Sequence, residues 1–376
     1  MKETSIYFHI PYCEHKCIYC DFYSIITNKN TDEYLEALKK EINFFADKYS
    51  SNRKIISIYF GGGTPSLMEP QFFYELIDLI SKKFYLPSDA ELTIEANPGT
   101  LNKNKLTDFK KIGVNRLSIG IQSFNNNELK FLTRIHDSQT AIKTVLEAND
   151  IGFQNISIDL IFNLPNQTKK IWLENLEQAI KLPIKHLSAY SLILEPGTIL
   201  NKMVIDGKVK IQGEDYDAEL YELTIDFLTN NGFVQYEVSN FAIPGFECIH
   251  NNSYWRYKDY FGFGTSAHSF IDGKRWWNYS SLNFYLESIN KKNNAVIGEE
   301  SLTQNQMLDE YVMLALRSSG LDTKDFINRF GSNWLDEREP LIQGMIENGF
   351  IKREEEKLKL TPKGYAICDE IIKNLL

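Results

Sequence analysis

Short β-rich runs alternate with segments of helical periodicity over about the first 230 residues of this 376-residue chain. Because strand–helix–strand units connect parallel neighbours, the alternation predicts a parallel sheet with crossover helices. The six predicted strands are Ser5–Ile10, Ile55–Phe60, Glu91–Glu95, Arg116–Gly120, Ser157–Phe162 and His186–Leu192. The predicted helices cover residues 31–48, 70–84, 102–112, 138–150, 168–181 and 214–231. Eight units would complete a barrel, so six predict an α/β fold with a partial (β/α)6 barrel, which Val234–Phe241 could extend.

The C-terminal part of the chain has a different pattern. Asn290–Glu300 is polar and predicts a linker, which divides the chain into a barrel domain with an extension, 1–290, and a small domain, 300–376. Three predicted helices, a hairpin and a last helix indicate a winged-helix-like module; its helices are Gln304–Ser318, Thr323–Phe330 and Leu335–Asn348, and its second strand is Lys357–Leu360. Residues 301–376 hold 10 Lys and Arg against 13 Asp and Glu, so we expect a structural or docking module.

Composition narrows the range of partners. The formal net charge of -9 argues against a general affinity for nucleic acid, because phosphate binding needs clustered Lys and Arg. The chain has no apolar run long enough for a membrane span and no signal-peptide pattern at its start, which predicts a cytoplasmic protein. Any membrane contact is expected to be peripheral, and no basic amphipathic helix in the sequence indicates such a contact. Cys248 and Cys368 stand alone, and we expect both to be small hydrophobic residues.

The pattern Cys13-x-x-x-Cys17-x-x-Cys20 predicts a metal centre. An odd cysteine count with three cysteines in eight residues is a poor disulfide framework. Three thiolates from one loop can hold three irons of a 4Fe–4S cluster and leave the fourth iron open to a ligand. A structural zinc site is the alternative, because His9 or His15 could supply the fourth ligand that zinc requires.

Polar and glycine-rich segments follow the other predicted strands. Gly61-Gly62-Gly63-Thr64-Pro65-Ser66 comes directly after the second strand, where glycines let a ligand approach the backbone closely. Four polar residues lie on or after strands three to five, namely Glu95, Gln122, Arg134 and Asp159. Such groups converge at the carboxyl ends of barrel strands, where a carboxylate can bind ribose hydroxyls and an arginine can clamp a carboxylate.

Together these motifs resemble the radical S-adenosylmethionine (SAM) superfamily, whose members carry C-x3-C-x2-C after the first strand of a partial barrel. The resemblance implies a 4Fe–4S cluster on Cys13, Cys17 and Cys20 and SAM as the ligand of the open iron. It also implies a set of SAM contacts, comprising Tyr7, Gly62, Gly63, Thr64, Glu95, Gln122, Arg134 and Asp159. If SAM is cleaved, the reduced cluster passes one electron to the sulfonium.

Within the superfamily, the segments YFHIPYC, GGGTPS, IEANPGT and GIQSF resemble oxygen-independent coproporphyrinogen III oxidases and the related HemW-type haem chaperones. Three features favour the chaperones. Phe22 stands where the oxidases have a fourth cysteine, the first strand begins almost at once, and His250-Asn251-Asn252-Ser253-Tyr254-Trp255 matches the HNxxYW segment of the chaperones.

The HNxxYW segment supplies the candidate haem-binding residues. A neutral imidazole is a common axial ligand of haem iron, and His250 could supply one. Tyr254 and Trp255 could lie against the macrocycle. Tyr257, Tyr260, Phe261 and Phe263 make the neighbourhood aromatic. The alternative is a hydrogen-bonded core histidine within ordinary aromatic packing. His268 is a second candidate and is expected nearer the barrel mouth.

The resemblance therefore implies a haem chaperone that binds haem and delivers it to haem-dependent membrane enzymes, without coproporphyrinogen oxidase activity and with homodimerisation known in the family. The alternative is a coproporphyrinogen III dehydrogenase that decarboxylates two propionates by radical chemistry; Phe22 and the short N-terminal segment count against it. A winged-helix regulator with a redox-sensing cluster is a third hypothesis, disfavoured by the acidic C-terminal domain.

Overall fold

A computed structural model describes residues 1–27 and 29–376 and contains one large sheet. Its first six strands, β1 to β6, are Lys2–Ile10, Arg53–Gly62, Glu91–Ala96, Arg116–Gln122, Asn155–Phe162 and His186–Ser191. They pair in parallel and in chain order. The predicted strands are confirmed with small shifts at their ends, and so is the partial barrel.

Helices cross over between these strands. The helices of this region are α1 Thr31–Tyr49, α2 Pro70–Lys83, α3 Lys103–Lys111, α4 Asn126–Phe131, α5 Ser138–Asp150, α6 Lys169–Ile180, α7 Ile199–Ile205 and α8 Glu214–Asn230, with a 3-10 turn at Pro65–Leu67. Ile6, Phe8 and Ile10 alternate along β1 and are fully buried beneath the helices. The residues between them are polar and face the interior of the barrel, so the strand pattern separates the hydrophobic core from a polar channel.

Both edges of the parallel sheet are extended. On one edge, β7 (Val234–Gln235) and β8 (Asn240–Ala242) lie antiparallel to β6, as expected for the Val234–Phe241 stretch. On the other edge, β9 pairs in parallel with β1, and β10 to β12 continue antiparallel. These strands are β9 Asp259–Phe263, β10 His268–Ile271, β11 Lys274–Asn278 and β12 Val296–Ser301, with helices α9 Ile249–Trp255 and α10 Leu282–Lys292.

The linker predicted for Asn290–Glu300 is wrong. Asn290 lies in α10, and Val296–Ser301 forms the edge strand β12, which pairs with β11. The segment is polar because an edge strand presents side chains to water, and its two lysines close a helix. Polarity in this segment therefore marks a helix end and an exposed edge strand where an unstructured linker was expected.

The C-terminal module has the predicted winged-helix-like pattern. Its helices are α11 Gln304–Leu316, α12 Thr323–Phe330, α13 Asn333–Glu347, α14 Pro362–Tyr365 and α15 Cys368–Leu375. A three-stranded sheet is ordered β13 (Leu321–Asp322), β15 (Lys357–Leu360), β14 (Ile351–Glu354). Over residues 1–27 and 29–376, no helix has both the length and the apolar composition needed to cross a bilayer.

Candidate functional site

The three clustered cysteines lie on the loop that follows β1. Backbone hydrogen bonds from Cys13 N to Ile25 O (3.0 Å) and from Ile25 N to Pro11 O (2.8 Å) close the base of this loop. Cys13, Cys17 and Cys20 are free thiols of intermediate exposure, and all three line one cavity. The loop is therefore held by its backbone, while its thiols remain accessible to an inorganic group.

The donor set fits a 4Fe–4S cluster better than zinc. Within the described part of the chain, no three His, Cys, Asp or Glu side chains are close enough to hold a single metal ion. His9 is already engaged, because its Nε2 lies 2.9 Å from Tyr23 O and its Nδ1 lies 3.1 Å from Tyr7 OH. Thiolates spread around a cavity suit a group with several irons, whereas zinc needs four ligands around one ion.

The cavity has a volume of about 410 Å³ and opens at the carboxyl ends of the parallel strands. Seven of the eight residues expected to contact SAM line it, namely Gly62, Gly63, Thr64, Glu95, Gln122, Arg134 and Asp159. Tyr7 does not line the cavity; its hydroxyl contacts His9, and its ring stacks with Tyr59 at 6.2 Å between centroids. The arrangement can enclose an organic ligand beside the three thiols.

The glycine turn after β2 is dictated largely by the protein's own packing. A Cβ at Gly62, where φ is 111°, would meet the His9 ring at 2.6 Å, and one at Gly63 would meet Tyr12 O at 2.7 Å. The Gly63 and Thr64 amides donate to Ile10 O and Tyr12 O. The glycines thus let the turn lie against the end of β1, beside the cysteine loop.

Two carboxylates face the polar channel, Glu95 on β3 and Asp159 on β5, with β4 between the two strands. Glu95 Oε1 accepts from Tyr59 OH (2.8 Å), and its Oε2 accepts from Gly62 N (3.1 Å). Burial raises the pKa of Glu95 to about 7 and also raises the pKa of Asp159. The cavity therefore has carboxylates in its lining whose pKa is raised by burial, where they can accept hydrogen bonds from a bound ligand.

Arg134 lines the cavity and is held by bonds to other parts of the protein. Its Nη2 donates to both Asn97 Oδ1 (2.6 Å) and Gly120 O (2.6 Å), and its Nη1 donates to Cys17 Sγ at 3.5 Å. Only the buried Nε has no partner among the described residues. The nearby Gln122 has a left-handed φ of 71° at a bulge in β4, which turns its side chain toward the cavity.

His250 lies at the other end of the barrel, on α9, which packs against β2, β1 and β9. Its side chain is buried, with Nδ1 at 2.9 Å from Ser57 Oγ and Nε2 at 2.9 Å from Tyr254 OH. Its ring stacks on Tyr59 at 4.9 Å, and Tyr59 separates it from Glu95. Burial lowers the pKa of His250 to about 3. This is the geometry of a hydrogen-bonded core histidine in the barrel floor.

The rest of the predicted haem neighbourhood divides into two groups. Tyr254 and Trp255 are half-buried at the end of α9, and Tyr254 makes an edge contact with Tyr260 at 4.5 Å. Phe261 and Phe263 lie on β9 and belong to the core between the sheet and the helices. His268 is exposed at the start of β10, where its ring stacks on Trp277.

The two isolated cysteines also differ. Cys248 is buried and caps α9, since its Sγ accepts from Asn251 N at 3.5 Å. Cys368 is half-buried beside Asp369 and Arg317. The small-hydrophobe interpretation fits the burial of Cys248 and omits its capping role.

Three residues of this region were not identified as candidates from the sequence. Asn97 bridges Arg134 and Thr64, Tyr59 supports Glu95, and Glu91 accepts from the Ile249 and His250 amides (both 3.0 Å) at the start of α9. The inward positions of β2 and β3 were the available signal, since Tyr59 and Glu91 alternate with apolar residues.

Two family models match this chain, one in the barrel and one in the C-terminal module. The model of the radical SAM superfamily matches residues 7–179, and that of the HemN C-terminal domain matches residues 302–367. The chain is similar to the Bacillus subtilis (strain 168) protein described as heme chaperone HemW, with 37% identity over 98% of this chain and 97% of that protein. The heme chaperone HemW of Lactococcus lactis is 34% identical over 100% and 98% of the two chains.

A solved structure extends the similarity to three dimensions. Coproporphyrinogen III oxidase (HemN) from Escherichia coli, described as a radical SAM enzyme, superimposes with a TM-score of 0.84 at 25% identity. The superposition covers 100% of this chain and 90% of that chain, which includes the sheet extension and the C-terminal module. Full-length similarity, domain order and the cysteine cavity agree, and the chain belongs to the HemW family of haem chaperones within the radical SAM superfamily.

Proposed function

We propose that this chain binds haem and delivers it to haem-dependent membrane enzymes. The observation that carries the proposal is the similarity to a heme chaperone HemW over 98% of this chain. The similarity includes the barrel, the extension and the C-terminal module, so it is not confined to a shared cofactor domain.

The radical SAM family implies a 4Fe–4S cluster and SAM. In this chain Cys13, Cys17 and Cys20 would hold the cluster, and the seven lining residues would hold SAM in the 410 Å³ cavity. Tyr7 lies outside the cavity lining and would affect SAM only indirectly, through its hydrogen bond to His9. When bound, the cluster supplies an electron for reductive cleavage of the SAM sulfonium. Phe22 lies on the cavity wall and is 63% exposed.

Haem ligation by His250 requires a local rearrangement. Nδ1 of His250 is bonded to Ser57 and Nε2 is bonded to Tyr254. His250 therefore becomes available to iron only if these two hydrogen bonds break and α9 moves away from the barrel floor. The half-buried Tyr254 and Trp255 then provide an aromatic surface for the macrocycle. The low pKa of His250 keeps its imidazole neutral, which is the form that binds iron.

Coproporphyrinogen III dehydrogenation is the second candidate, favoured by the TM-score of 0.84 to the HemN structure. The thiol set argues against it. Phe22 occupies the place of the fourth cysteine expected in an oxidase, and among the described residues the cavity is lined by three cysteines.

An anaerobic haem titration of the reconstituted protein, followed by an assay of coproporphyrinogen III with SAM and a reductant, distinguishes the two functions. We expect stoichiometric haem binding and no decarboxylation. Decarboxylation without stable haem binding would establish the enzyme and overturn the chaperone proposal.

His250 is tested by His250→Ala, with His186→Ala as the matched control, because His186 is also buried and also bonded to a serine (Ser157) and a tyrosine (Tyr236). We expect weaker haem binding and an altered haem spectrum in the first variant, with unchanged iron and sulfide content, because His250 is separated from the cysteine loop by Tyr59. Equal haem affinity in wild type and His250→Ala would return His250 to a purely structural role.

A further inference from the structure

A chain of hydrogen bonds links two of the three clustered cysteines. Cys13 Sγ lies 3.5 Å from Thr64 Oγ1, which accepts from Asn97 Nδ2 at 2.9 Å. Asn97 Oδ1 accepts from Arg134 Nη2 at 2.6 Å, and Arg134 Nη1 donates to Cys17 Sγ at 3.5 Å. Asn97 is the midpoint of this connection.

The direction of each bond follows from the donors available. A guanidinium only donates, so the atom of Asn97 that faces Arg134 must be its oxygen, and its amide nitrogen must face Thr64. Because Thr64 Oγ1 accepts from that nitrogen, its own hydrogen is free to point at Cys13. A cysteine that ligates iron is a thiolate and can only accept. Both sulfurs therefore receive a hydrogen bond from a side chain that Asn97 contacts; Gly120 O also holds Arg134.

Asn97 is itself fixed in place by its backbone. Its amide donates to Ser66 Oγ (3.3 Å), and its carbonyl accepts from Thr100 N (3.1 Å) and Thr100 Oγ1 (2.7 Å). These bonds hold the turn after β3. The Asn97 side chain is therefore fixed and can orient both Thr64 and Arg134.

We infer that Asn97 is a positioning residue that raises the reduction potential of the cluster by directing Thr64 and Arg134 onto the sulfurs of Cys13 and Cys17. The inference rests on the cluster assignment in the proposed function. Hydrogen bonds to ligating sulfurs stabilise the reduced cluster more than the oxidised one, because the reduced cluster carries an additional negative charge.

The test is a redox titration of the reconstituted cluster monitored by electron paramagnetic resonance, in the absence of haem. Asn97→Ala is expected to lower the midpoint potential while iron and sulfide stay at the wild-type level, since all three thiols remain. Thr64→Val removes one donor and is expected to lower the potential less. Thr144→Val on α5 is the control: it loses the bond from its hydroxyl to Thr140 O, is bonded neither to Asn97 nor to a cysteine, and is expected to match wild type.

An unchanged potential in Asn97→Ala would overturn the inference, as would an equal decrease in the Thr144→Val control. Loss of the cluster from a variant that melts at the wild-type temperature would also overturn it, because Asn97 would then serve assembly. If Asn97→Ala does not fold, the potential of Thr64→Val decides in the same way. Failure of the proposed function is distinguished separately, by a wild-type protein that takes up no cluster or no haem.

Discussion

At the scale of single residues, surroundings decide what each ionisable side chain can do. Cys13, Cys17 and Cys20 share a cavity wall, whereas Cys248 is buried as a helix cap. Burial raises the pKa of the Cys13 and Cys20 thiols, so their deprotonation must be driven by the metal that binds them. Cluster binding should accordingly weaken at acidic pH.

Replacing Cys17 with Ser is expected to abolish the visible absorption of the cluster and leave a folded barrel, since the loop is closed by backbone bonds outside Cys17. Cys368→Ser is the matched control, because Cys368 lies in the C-terminal module. Iron and sulfide analysis with circular dichroism checks both variants. Undiminished iron and sulfide in Cys17→Ser would refute the cluster assignment.

Glu237 predicts a pH dependence of stability. It is 1% exposed in the turn between β7 and β8, and burial raises its pKa to about 7 from an ordinary value of 4.5. Since the folded carboxyl keeps its proton longer than the unfolded one, its stabilising contribution is complete below pH 4.5 and lost as the pH rises to about 7. The amide that replaces this carboxyl in Glu237→Gln does not titrate, so that variant lacks this pH dependence.

The free energy of unfolding of wild type, measured relative to Glu237→Gln, should therefore decrease by up to about 1.4 kcal/mol per pH unit in that window. Urea unfolding of both proteins at roughly pH 5, 6 and 7 measures the difference between their free energies of unfolding. A difference that does not vary with pH would show that the Glu237 carboxyl titrates normally.

At the scale of elements, close contacts between consecutive turns build the site. The glycine turn lies against the end of β1, and α9 closes the opposite end of the barrel with its amides on Glu91. The glycine turn places Thr64 beside Cys13, so the segments that follow β1 and β2 form one wall of the cavity together.

Gly63→Ala tests the contact between the glycine turn and β1. Its Cβ would meet backbone atoms of Tyr12, Ile10 and Pro11 at 2.7 to 2.9 Å, so the turn must move. We expect a loss of about 1–3 kcal/mol in stability and reduced cluster occupancy. Gly344→Ala, inside α13 with no atom within 4 Å, is the control and should be slightly more stable. Full occupancy in Gly63→Ala would contradict this account.

At the scale of the whole molecule, the C-terminal module shares a hydrophobic core with the sheet extension. Tyr257 and Phe270 belong to the same cluster as Tyr311 and Leu316. Glu310 on α11 accepts from Tyr257 OH (2.9 Å) and Arg275 Nη2 (2.7 Å). A common core predicts that barrel and module unfold together.

We expect one cooperative thermal transition, with Phe270→Ala lowering stability by about 3–5 kcal/mol because the ring is buried in that shared core. Phe284→Ala, at a phenylalanine that is 59% exposed, is the control and should change little. Calorimetry with hydrogen exchange follows both parts of the chain. Separate melting of the C-terminal module would disprove the common core.

The sequence by itself determined the six parallel strands, six of the helices around them and ten of the residues that line the cavity. Strand alternation and helical periodicity are local, and a polar residue at the end of a parallel strand lies at the barrel mouth whatever else the chain does. The Cys13–Cys20 loop and the Gly61–Gly63 turn were identified for the same reason, because each is contained in one short segment.

Only the tertiary structure decided the partners of those residues. The sheet extension depends on pairing of β9 with β1, and His250 meets Ser57 across 193 residues of sequence. Arg134 bonds to Asn97 and Cys17, which lie on two other segments of the chain. A hydrogen bond between distant segments leaves no periodic trace in either of them, so the roles of His250, Arg134 and Asn97 follow from the packing of the barrel.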